Sequence, residues 1–425
     1  MTDTAIDIPQ IASRARAAAR RVSRLDPQRR SERLRDMAAG VSDAVETILA
    51  ANEQDCRDAQ QAGVSAALLD RLRLDASRIE SMAAGVETVA ALPDRLGETI
   101  STYEHPAGMP IRRVRVPLGV ILIIYESRPN VTADAAALCF KSGNAVILRG
   151  GSEAMRTNRA IRDAMLSRLA DDDENGGGET LRDAIQLVPT TDRAAVEQLL
   201  TMDQDIDLVI PRGGEGLIRA VAKHSTIPVL KHYQGVCHVY VDRDADLDMA
   251  RRIAVNAKCQ RPGVCNAMET LLVHEQVADR FLPAVAESLR EHGVELRGDE
   301  RTGAIIPDAL PAEEDDWSAE YLDLILAIRV VADCDEAIEH INRYGSRHSD
   351  AIVTADRDAA DRFLQQVDSA TVYVNASTRF TDGGEFGLGA EIGISTDKLH
   401  ARGPCGIEAL TTYKYIIDGD GQVRE

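Results

Sequence analysis

A single cysteine, Cys265, lies in a short loop that could present a thiol nucleophile. The loop reads Gln260-Arg261-Pro262-Gly263-Val264-Cys265-Asn266-Ala267. Apolar residues at helical spacing precede it, and an apolar strand-like run, 270–273, follows it. A cysteine between two anchored elements has a fixed backbone and a sulfur free to face a cleft, as a thiolate nucleophile requires. Free cysteine is also among the most often buried residue types, so a small packing residue is the competing interpretation.

Two turns of the chain are suited to binding phosphate. The segments Arg149-Gly150-Gly151-Ser152 and Arg212-Gly213-Gly214 each follow a predicted strand and precede a predicted helix. Glycine lets the backbone approach an anion, and a helix N-terminus offers free N–H groups. The competing explanation is that these glycines serve the geometry of the turn alone. The chain contains no G-x-G-x-x-G motif, so a dinucleotide would have to bind in another manner.

The elements that must position these residues follow from hydrophobic spacing. Residues 8–92 read as consecutive amphipathic helices, and 99–115 as a polar β-hairpin. From Pro117 onwards apolar strands alternate with helices, which is typical of a parallel sheet covered on both faces. The sequence therefore predicts an α/β protein with two parallel-sheet domains and a small β-hairpin. Expected domain boundaries are 1–240, 241–390 and 391–425.

Composition narrows the functional classes. The formal net charge of −20 argues against nucleic-acid binding, which needs basic patches. No apolar run approaches the roughly 18 residues of a membrane span. Seven cysteines without disulfide or zinc spacing, and an N-terminus without a signal-peptide pattern, predict a cytoplasmic protein without a metal site. The acidic stretch 171–178 reads as a solvated loop rather than a calcium site. An acidic substrate would need a local group of cations, and the candidates are Arg128, Lys141, Arg149, Arg212 and Arg261.

Several segments resemble a known family. Besides the Cys265 loop, they are 117–120, 125–132, 148–153, 235–242 and 386–393. They resemble the gamma-glutamyl phosphate reductases, a branch of the aldehyde dehydrogenase superfamily, over essentially the whole chain. The resemblance implies an aldehyde-dehydrogenase-like fold with a cofactor domain, a catalytic domain bearing the cysteine, and an oligomerisation hairpin that pairs with the final strand near Tyr413.

The same resemblance implies an activity. It is the NADPH-dependent reduction of L-glutamyl 5-phosphate to L-glutamate 5-semialdehyde and phosphate, the second step of proline biosynthesis from glutamate. A homodimer or higher homo-oligomer and transient contact with glutamate 5-kinase are implied as well. Two other classes stay open: an oxidising or acylating aldehyde dehydrogenase with a different aldehyde, and a non-catalytic scaffold that keeps the fold.

The resemblance also suggests roles for individual residues. Cys265 would attack the acyl carbon, and its backbone N–H with the Asn130 amide would bind the oxyanion. Strict spacing places Arg128 where the superfamily has its asparagine, so either residue could be the donor and the other could bind substrate. The remaining substrate-binding candidates are Arg261 and Asn266. The cofactor-binding candidates are Arg149, Gly150, Ser152, Glu153, Arg212, Gly213, Gly214 and Glu320.

Three residues, Arg149, Glu320 and His232, have alternative interpretations. Arg149 could bind a ribose 2′-phosphate, or could cap the end of its strand. Glu320 could hold the nicotinamide ribose, or lie on the surface. His232 occupies the position of the glutamate that activates water in oxidising relatives, unless the spacing is shifted. Cys237 and Cys259 are read as packing residues.

Overall fold

The computed structural model describes residues 7–169 and 180–424. The extreme N-terminus and the acidic stretch 171–178 lie outside the described residues. The chain divides into two compact units. The N-terminal unit comprises Met1–Lys231, Gly387–Gly393 and Cys405–Glu425, and the central unit comprises His232–Phe386 and Ile394–Pro404.

The N-terminal unit opens with helices, as its amphipathic spacing predicts. Proline and aspartate set their starts: the Asp26 side chain accepts from the Arg29 backbone N–H, and Pro27 follows at the first helical position. The elements, in chain order, are α1 (Ile8–Val22), α2 (Pro27–Asp43), α3 (Val45–Gln61), α4 (Ala66–Leu72), α5 (Ala76–Ala91), β1 (Thr99–Glu104), β2 (Pro110–Pro117), β3 (Val120–Tyr125), α6 (Asn130–Lys141), β4 (Ala145–Arg149), α7 (Met155–Ser167), β5 (Ile185–Leu187), α8 (Arg193–Leu199), β6 (Leu208–Arg212) and α9 (Glu215–His224).

The sheet of this unit is parallel, in the order β5-β4-β3-β6. All six residues of β3 are buried, because neighbouring strands pair with both its edges and helices cover its faces. The turns after β3, β4 and β6 leave the carboxyl ends of adjacent parallel strands, so they share one edge of the sheet. Lys141, a candidate for the cationic group, is buried instead: its Nζ donates to Ser31 Oγ at 2.8 Å and to the Ala90 carbonyl at 2.9 Å.

The central unit holds a parallel sheet in the order β10-β9-β11-β8-β7-β12-β13. Its elements are β7 (Cys237–Val241), α10 (Leu247–Cys259), β8 (Met268–His274), α11 (Glu275–Glu291), β9 (Glu295–Gly298), α12 (Glu300–Ile305), β10 (Leu310–Pro311), β11 (Ile325–Val331), α13 (Cys334–Tyr344), β12 (Ser349–Val353), α14 (Arg357–Gln366), β13 (Thr371–Val374), β14 (Ile394–Ser395) and β15 (Gly403–Pro404). The short elements of 295–311 were not expected from the sequence, because segments of two to six residues carry little periodic signal.

The observed division differs from the expected boundaries. Strand β7 pairs with β8 and β12, so the chain leaves the N-terminal unit at Lys231 rather than after residue 240. The physical reason is burial: Val239 and Tyr240 of β7 are fully buried in clusters of the central unit. Residues 387–390, expected in the catalytic domain, belong to the N-terminal unit.

The predicted hairpin forms a three-stranded antiparallel sheet with the last strand, β16 (Thr411–Ile417), in the order β1-β2-β16. Tyr413 pairs with Arg115 on β2, as the resemblance implied. The Arg113 guanidinium lies 3.9 Å from the centre of the Tyr413 ring. Several large apolar side chains of this sheet remain exposed, namely Ile100, Tyr103, Tyr413, Tyr415 and Ile417. Within the described ranges, no helix is long and apolar enough to cross a membrane.

Candidate active site

Cys265 lies where the sequence predicts it, on the loop between α10 and β8, and is half-buried. The loop closes on itself through a hydrogen bond from the Ala267 N–H to the Val264 carbonyl at 3.0 Å. The Cys265 N–H makes no hydrogen bond to any residue that the structure describes. The loop therefore offers a partly accessible sulfur beside a free backbone donor, which is what an acyl-transfer site needs.

Gly235 and Cys237 contact the Cys265 carbonyl directly, and Glu320 holds Gly235 in place. A Cβ on Gly235 would lie 2.0 Å from the Cys265 carbonyl oxygen, so only glycine allows this approach. The Cys237 S–H donates to the same oxygen at 3.2 Å. The Gly235 N–H in turn donates to Glu320 Oε1 at 2.8 Å. Glu320 is therefore half-buried and bonded to the support of the nucleophile, and is not a surface residue. Cys237 packs as expected, and it also anchors the loop.

Asn266 anchors the loop on its other side. Its Nδ2 donates to the Thr381 carbonyl at 2.9 Å and to the Arg379 carbonyl at 3.4 Å, while Thr378 Oγ1 donates to the Asn266 carbonyl at 2.8 Å. The amide nitrogen is thus engaged within the protein, unlike the substrate contact expected from the sequence. The remaining amide oxygen, Oδ1, is buried and accepts no hydrogen bond from the described residues. Any contact with substrate would be made through that oxygen.

A fully buried ion pair joins the two elements that flank the loop. Lys258, in the last turn of α10, lies 2.5 Å from Glu269 Oε2, in the second position of β8. Glu269 Oε1 also accepts from the Leu322 N–H at 3.2 Å. Burial raises the pKa of Glu269 to about 7, although Lys258 acts in the opposite direction. Burial likewise lowers the pKa of Lys258. The pair fixes the spacing between the helix end and the strand that hold Cys265.

Burial disfavours the thiolate form of four other cysteines. Burial raises the pKa of Cys139 and Cys237, and raises that of Cys334 to about 12. The pKa of Cys259 is raised for the same reason, although Lys258 acts to lower it. A thiol with a raised pKa forms less of the reactive thiolate at neutral pH. Cys259 packs against the apolar core of the central unit, as predicted.

His232 is held by its ring nitrogen. Because a carbonyl oxygen only accepts, the Nδ1–H of His232 donates to the Ile394 carbonyl at 2.9 Å. This tautomer leaves Nε2 as an acceptor. The His232 ring packs edge-on against His348, at 5.9 Å between ring centres. His348 Nδ1 lies 3.7 Å from Cys237 Sγ.

In the N-terminal unit, the turn after β3 has a strained backbone that hydrogen bonds to Glu153 hold in place. Ser127 is buried and has a φ of 34°, which is rare for a residue other than glycine. Its N–H and its Oγ donate to Glu153 Oε1 at 2.7 and 2.6 Å. Burial acts to raise the pKa of Glu153, but these hydrogen bonds outweigh it, and the net pKa is lowered. Glu153, expected to contact a cofactor, is therefore engaged in holding this turn, and the Ser152 hydroxyl donates to it at 3.4 Å.

The contacts of Arg149 are those expected of a residue that caps the end of its strand. Its Nη1 donates to the Gly150 carbonyl at 3.2 Å, and its Nη2 to the Thr191 carbonyl at 2.9 Å. Each terminal nitrogen therefore donates to a backbone carbonyl, one at the end of β4 and one between β5 and α8.

The turn after β6 is partly occupied as well. The Gly214 N–H donates to Glu126 Oε2 at 2.9 Å, and a Cβ on Gly213 would lie 2.4 Å from the same oxygen. A carboxylate of the chain thus sits where a phosphate was expected. The Arg212 guanidinium, in contrast, hydrogen-bonds to none of the described residues and lies against Gly393. Arg212 is the cation of this turn that remains available.

Asn130 and Arg128 are both exposed in the N-terminal unit. Asn130 Nδ2 donates to Asp134 Oδ2 at 2.9 Å, one turn along α6. Burial raises the pKa of Asp134 to about 6, against the effects of Asn130 and Arg212. No group of three or more potential metal ligands occurs in the parts of the chain that the structure describes.

Sequence reasoning missed four residues near these sites. Arg379 contacts the Cys265 loop from a turn after β13, and Glu126 fills the turn after β6. The Lys258–Glu269 pair brackets the nucleophile. The sequence shows a lysine before Cys265 and a glutamate after it. In a sequence, however, a buried ion pair cannot be distinguished from two charged residues on the surface. Arg379 and Glu126 carried no local signal.

Comparison with known proteins identifies the family. The model of the aldehyde dehydrogenase family matches residues 2–317 and 317–414. Gamma-glutamyl phosphate reductase of Moorella thermoacetica is 58% identical over 423 residues, which cover 100% of both chains. The corresponding protein of Carboxydothermus hydrogenoformans is 53% identical, over 98% of this chain and 99% of its own.

A solved structure agrees with these matches. The crystal structure of gamma-glutamyl phosphate reductase from Thermotoga maritima is 47% identical and superposes with a TM-score of 0.94, covering 98% of this chain and 100% of that one. The protein is accordingly an oxidoreductase with an aldehyde-dehydrogenase fold. The chain belongs to the aldehyde dehydrogenase family and, within it, to the gamma-glutamyl phosphate reductases.

Proposed function

We propose that the protein reduces L-glutamyl 5-phosphate to L-glutamate 5-semialdehyde and phosphate with NADPH, the second step of proline biosynthesis from glutamate. The observation that carries the proposal is the setting of Cys265. It is half-buried, its backbone N–H bonds to none of the described residues, and its loop is held from both sides. Full-length identity to gamma-glutamyl phosphate reductases supports the choice of substrate.

Cys265 is the nucleophile. Its thiolate attacks the acyl carbon, and the bond to the phosphate oxygen breaks, leaving a thioester. The Cys265 N–H is one donor to the oxyanion that develops, and Asn130 or Arg128 is the second. Arg261, exposed on the same loop, and Asn266 Oδ1 are the substrate-binding groups from the central unit.

The N-terminal unit binds the cofactor. When bound, NADPH supplies the hydride that reduces the thioester to the aldehyde. Arg212 fits a phosphate of this cofactor, because its guanidinium is not engaged by the described residues. Gly150, Ser152, Gly213 and Gly214 line the carboxyl edge of the sheet where a dinucleotide would lie. Arg149 and Glu153 shape that edge through their contacts with Gly150 and Ser127. Glu320 remains the candidate for the nicotinamide ribose.

The thioester must survive until it is reduced. Oxidising relatives use a glutamate to activate water, and His232 stands at that position in this chain. Glu269, four residues after the nucleophile, is fully buried in its pair with Lys258. A histidine in place of that glutamate suits a reductase rather than a hydrolysing dehydrogenase.

The exposed aromatic sheet supports a homodimer or a higher oligomer. Tyr103, Tyr413, Tyr415 and Ile417 are about half exposed on one small sheet, and a second copy would cover them. A cytoplasmic location and transient contact with glutamate 5-kinase, which would hand over the unstable acyl phosphate, complete the proposal.

The reverse reaction tests the function. Purified protein is incubated with glutamate 5-semialdehyde, NADP and inorganic phosphate, and absorbance of NADPH is followed. We expect turnover that requires phosphate, and a loss of at least about 1,000-fold in Cys265→Ala. Cys259→Ala, a half-buried thiol in the preceding helix, is the matched control and retains turnover.

Two results would contradict the proposal. Turnover that continues in Cys265→Ala removes the thioester mechanism. Oxidation of the aldehyde that ignores phosphate indicates a hydrolysing aldehyde dehydrogenase instead.

A further inference from the structure

Arg379 is a cation beside the nucleophile, and it has no role in the function proposed above. It lies on the single helical turn Thr378–Phe380, and its side chain is half-buried. Its Nε donates to Gln260 Oε1 at 2.8 Å, at the start of the Cys265 loop. Its carbonyl accepts from Asn266 Nδ2, next to the nucleophile. Backbone and side chain are therefore both fixed to the loop.

The terminal nitrogens of Arg379 have no assigned task. They hydrogen-bond to none of the described residues, and no carboxylate among those residues lies within ion-pair distance of the guanidinium. Burial lowers the pKa of Arg379, and the neighbouring Arg261 lowers it further, while Cys265 acts to raise it. Arg379, Arg261 and Cys265 are thus close enough to interact electrostatically.

This arrangement is costly without an anion. A half-buried guanidinium next to a second cation loses solvation and gains repulsion. Asp382 acts against both effects electrostatically, but no carboxylate of the described residues forms an ion pair with the guanidinium. Arginine presents its terminal N–H groups as a planar fork that matches two oxygens of a phosphate. With Nε fixed by Gln260, the fork is oriented before any ligand arrives.

We propose that Arg379, together with Arg261, forms the subsite for the phosphate group of the acyl phosphate; this rests on the function proposed above. The phosphate is joined through one oxygen to the carbon that Cys265 attacks, whereas the substrate's carboxylate lies at the far end of its chain. The subsite nearest the thiol is therefore the phosphate subsite.

The subsite acts on the leaving group. As the sulfur–carbon bond forms, the carbon–oxygen bond breaks, and its electron pair goes to the phosphate oxygen. The departing phosphate gains one negative charge and then takes a proton from solvent. Two cations at this position stabilise that charge as it develops. In the reverse reaction the same residues bind inorganic phosphate for attack on the thioester.

The test measures the KM for inorganic phosphate in the NADP-linked oxidation of glutamate 5-semialdehyde. Loss of a charge-assisted fork predicts a rise of about 10- to 100-fold in Arg379→Gln, with the KM for NADP unchanged. Arg379→Lys keeps the charge without the fork and is expected to give a smaller rise. Arg357→Gln, a highly exposed arginine on α14, is the matched control.

Gln260→Leu distinguishes phosphate binding by Arg379 from a structural role of Arg379 in holding the Cys265 loop. It removes the partner of Nε but leaves the cation, so we expect a smaller rise in the phosphate KM than in Arg379→Gln. An equal rise would mean that Arg379 acts only through Gln260, and would overturn the proposal. If Arg379→Gln does not fold, Arg379→Lys decides: an unchanged phosphate KM overturns the subsite.

A second measurement does not need turnover. Inorganic phosphate is expected to slow the alkylation of Cys265 by iodoacetamide in the parent protein, and to lose this effect in Arg379→Gln. Phosphate could protect Cys265 from alkylation in an Arg379-dependent manner while the protein shows no phosphate-linked turnover. That result would support the phosphate subsite and reject the proposed function. Normal turnover with a phosphate KM that Arg379→Gln does not change would keep the function and reject the subsite.

Discussion

Replacing Lys258 by methionine would leave the carboxylate of Glu269 buried without its counter-ion. Both side chains of the pair are fully buried, 2.5 Å apart, and flank the Cys265 loop. Removing one partner of a buried pair costs about 3–5 kcal/mol. That is a large part of the ~5–15 kcal/mol that stabilises a typical folded protein. We therefore expect a marked loss of stability and, because the loop loses its clamp, a lower kcat.

Urea unfolding followed by circular dichroism measures the loss. Arg357→Ala, which removes an exposed pair with Asp361 in the same unit, is the control and should cost no more than about 0.5 kcal/mol. In the double variant Lys258→Met/Glu269→Leu no charge is left buried, so most of the stability should return. About 1 kcal/mol would stay lost, because the Leu322 N–H loses its acceptor.

The loss should also depend on pH. In the parent the pKa of Glu269 is raised to about 7 in the folded protein, above the value of about 4.3 in an unfolded chain. A group whose folded pKa is raised contributes its full stability below the unfolded pKa and loses it as pH rises through the folded pKa. Without Lys258 the folded pKa of Glu269 rises further. The destabilisation of Lys258→Met relative to the parent should therefore grow above about pH 7.

Two outcomes would refute this reasoning. The first is a cost below about 1 kcal/mol for Lys258→Met at pH 8, which would mean that water reaches Glu269. The second is a double variant as unstable as the single one, which would mean that packing, and not charge, is lost.

The remaining predictions concern the thiol and the cofactor edge. Iodoacetamide at neutral pH should label Cys265 before the other cysteines, since burial raises the pKa of thiols such as Cys237; peptide mass spectrometry measures the order, and faster labelling of another cysteine contradicts it. Gly235→Ala should lower kcat by about 100-fold or more, because its Cβ would force back the Cys265 carbonyl; kcat near that of the parent would show that the loop can shift freely. Arg212→Gln should raise the KM for NADPH more than Arg149→Gln, because both Nη atoms of Arg149 are occupied by carbonyls; the opposite order in steady-state kinetics would restore Arg149 as the phosphate ligand.

Much of the fold could be predicted from local patterns. The all-apolar run of β3 marks a strand buried on both faces, and the helical spacing of α10 with the run of β8 places Cys265 on the loop between them. Such periodicities arise within a few residues, so the sequence displays them directly. Boundaries were less accurate: β7 joined the central sheet, a choice made by pairing with β8 and β12.

The surroundings of the nucleophile depend on long-range contacts. Glu320 reaches Gly235 across 85 residues, and Arg379 reaches Gln260 across 119. No local pattern distinguishes these side chains from ordinary surface charges. The same holds for Glu126, which accepts from the Gly214 N–H, and for the Thr191 carbonyl, which accepts from Arg149. The sequence predicts a ligand as the partner of both donors.

The sequence by itself determined the α/β architecture, the helix–loop–strand that carries Cys265 and, through resemblance, the family. These follow from residue types and spacing, which act over one element at a time. Only the tertiary structure decided which polar groups are already satisfied within the chain and which are left open. Arg149, Asn266 Nδ2 and the Gly214 N–H are engaged, whereas the Cys265 N–H and the ends of Arg212 and Arg379 bond to none of the residues that the structure describes. The reason is physical: a hydrogen bond depends on distance and direction in space, and folding sets both.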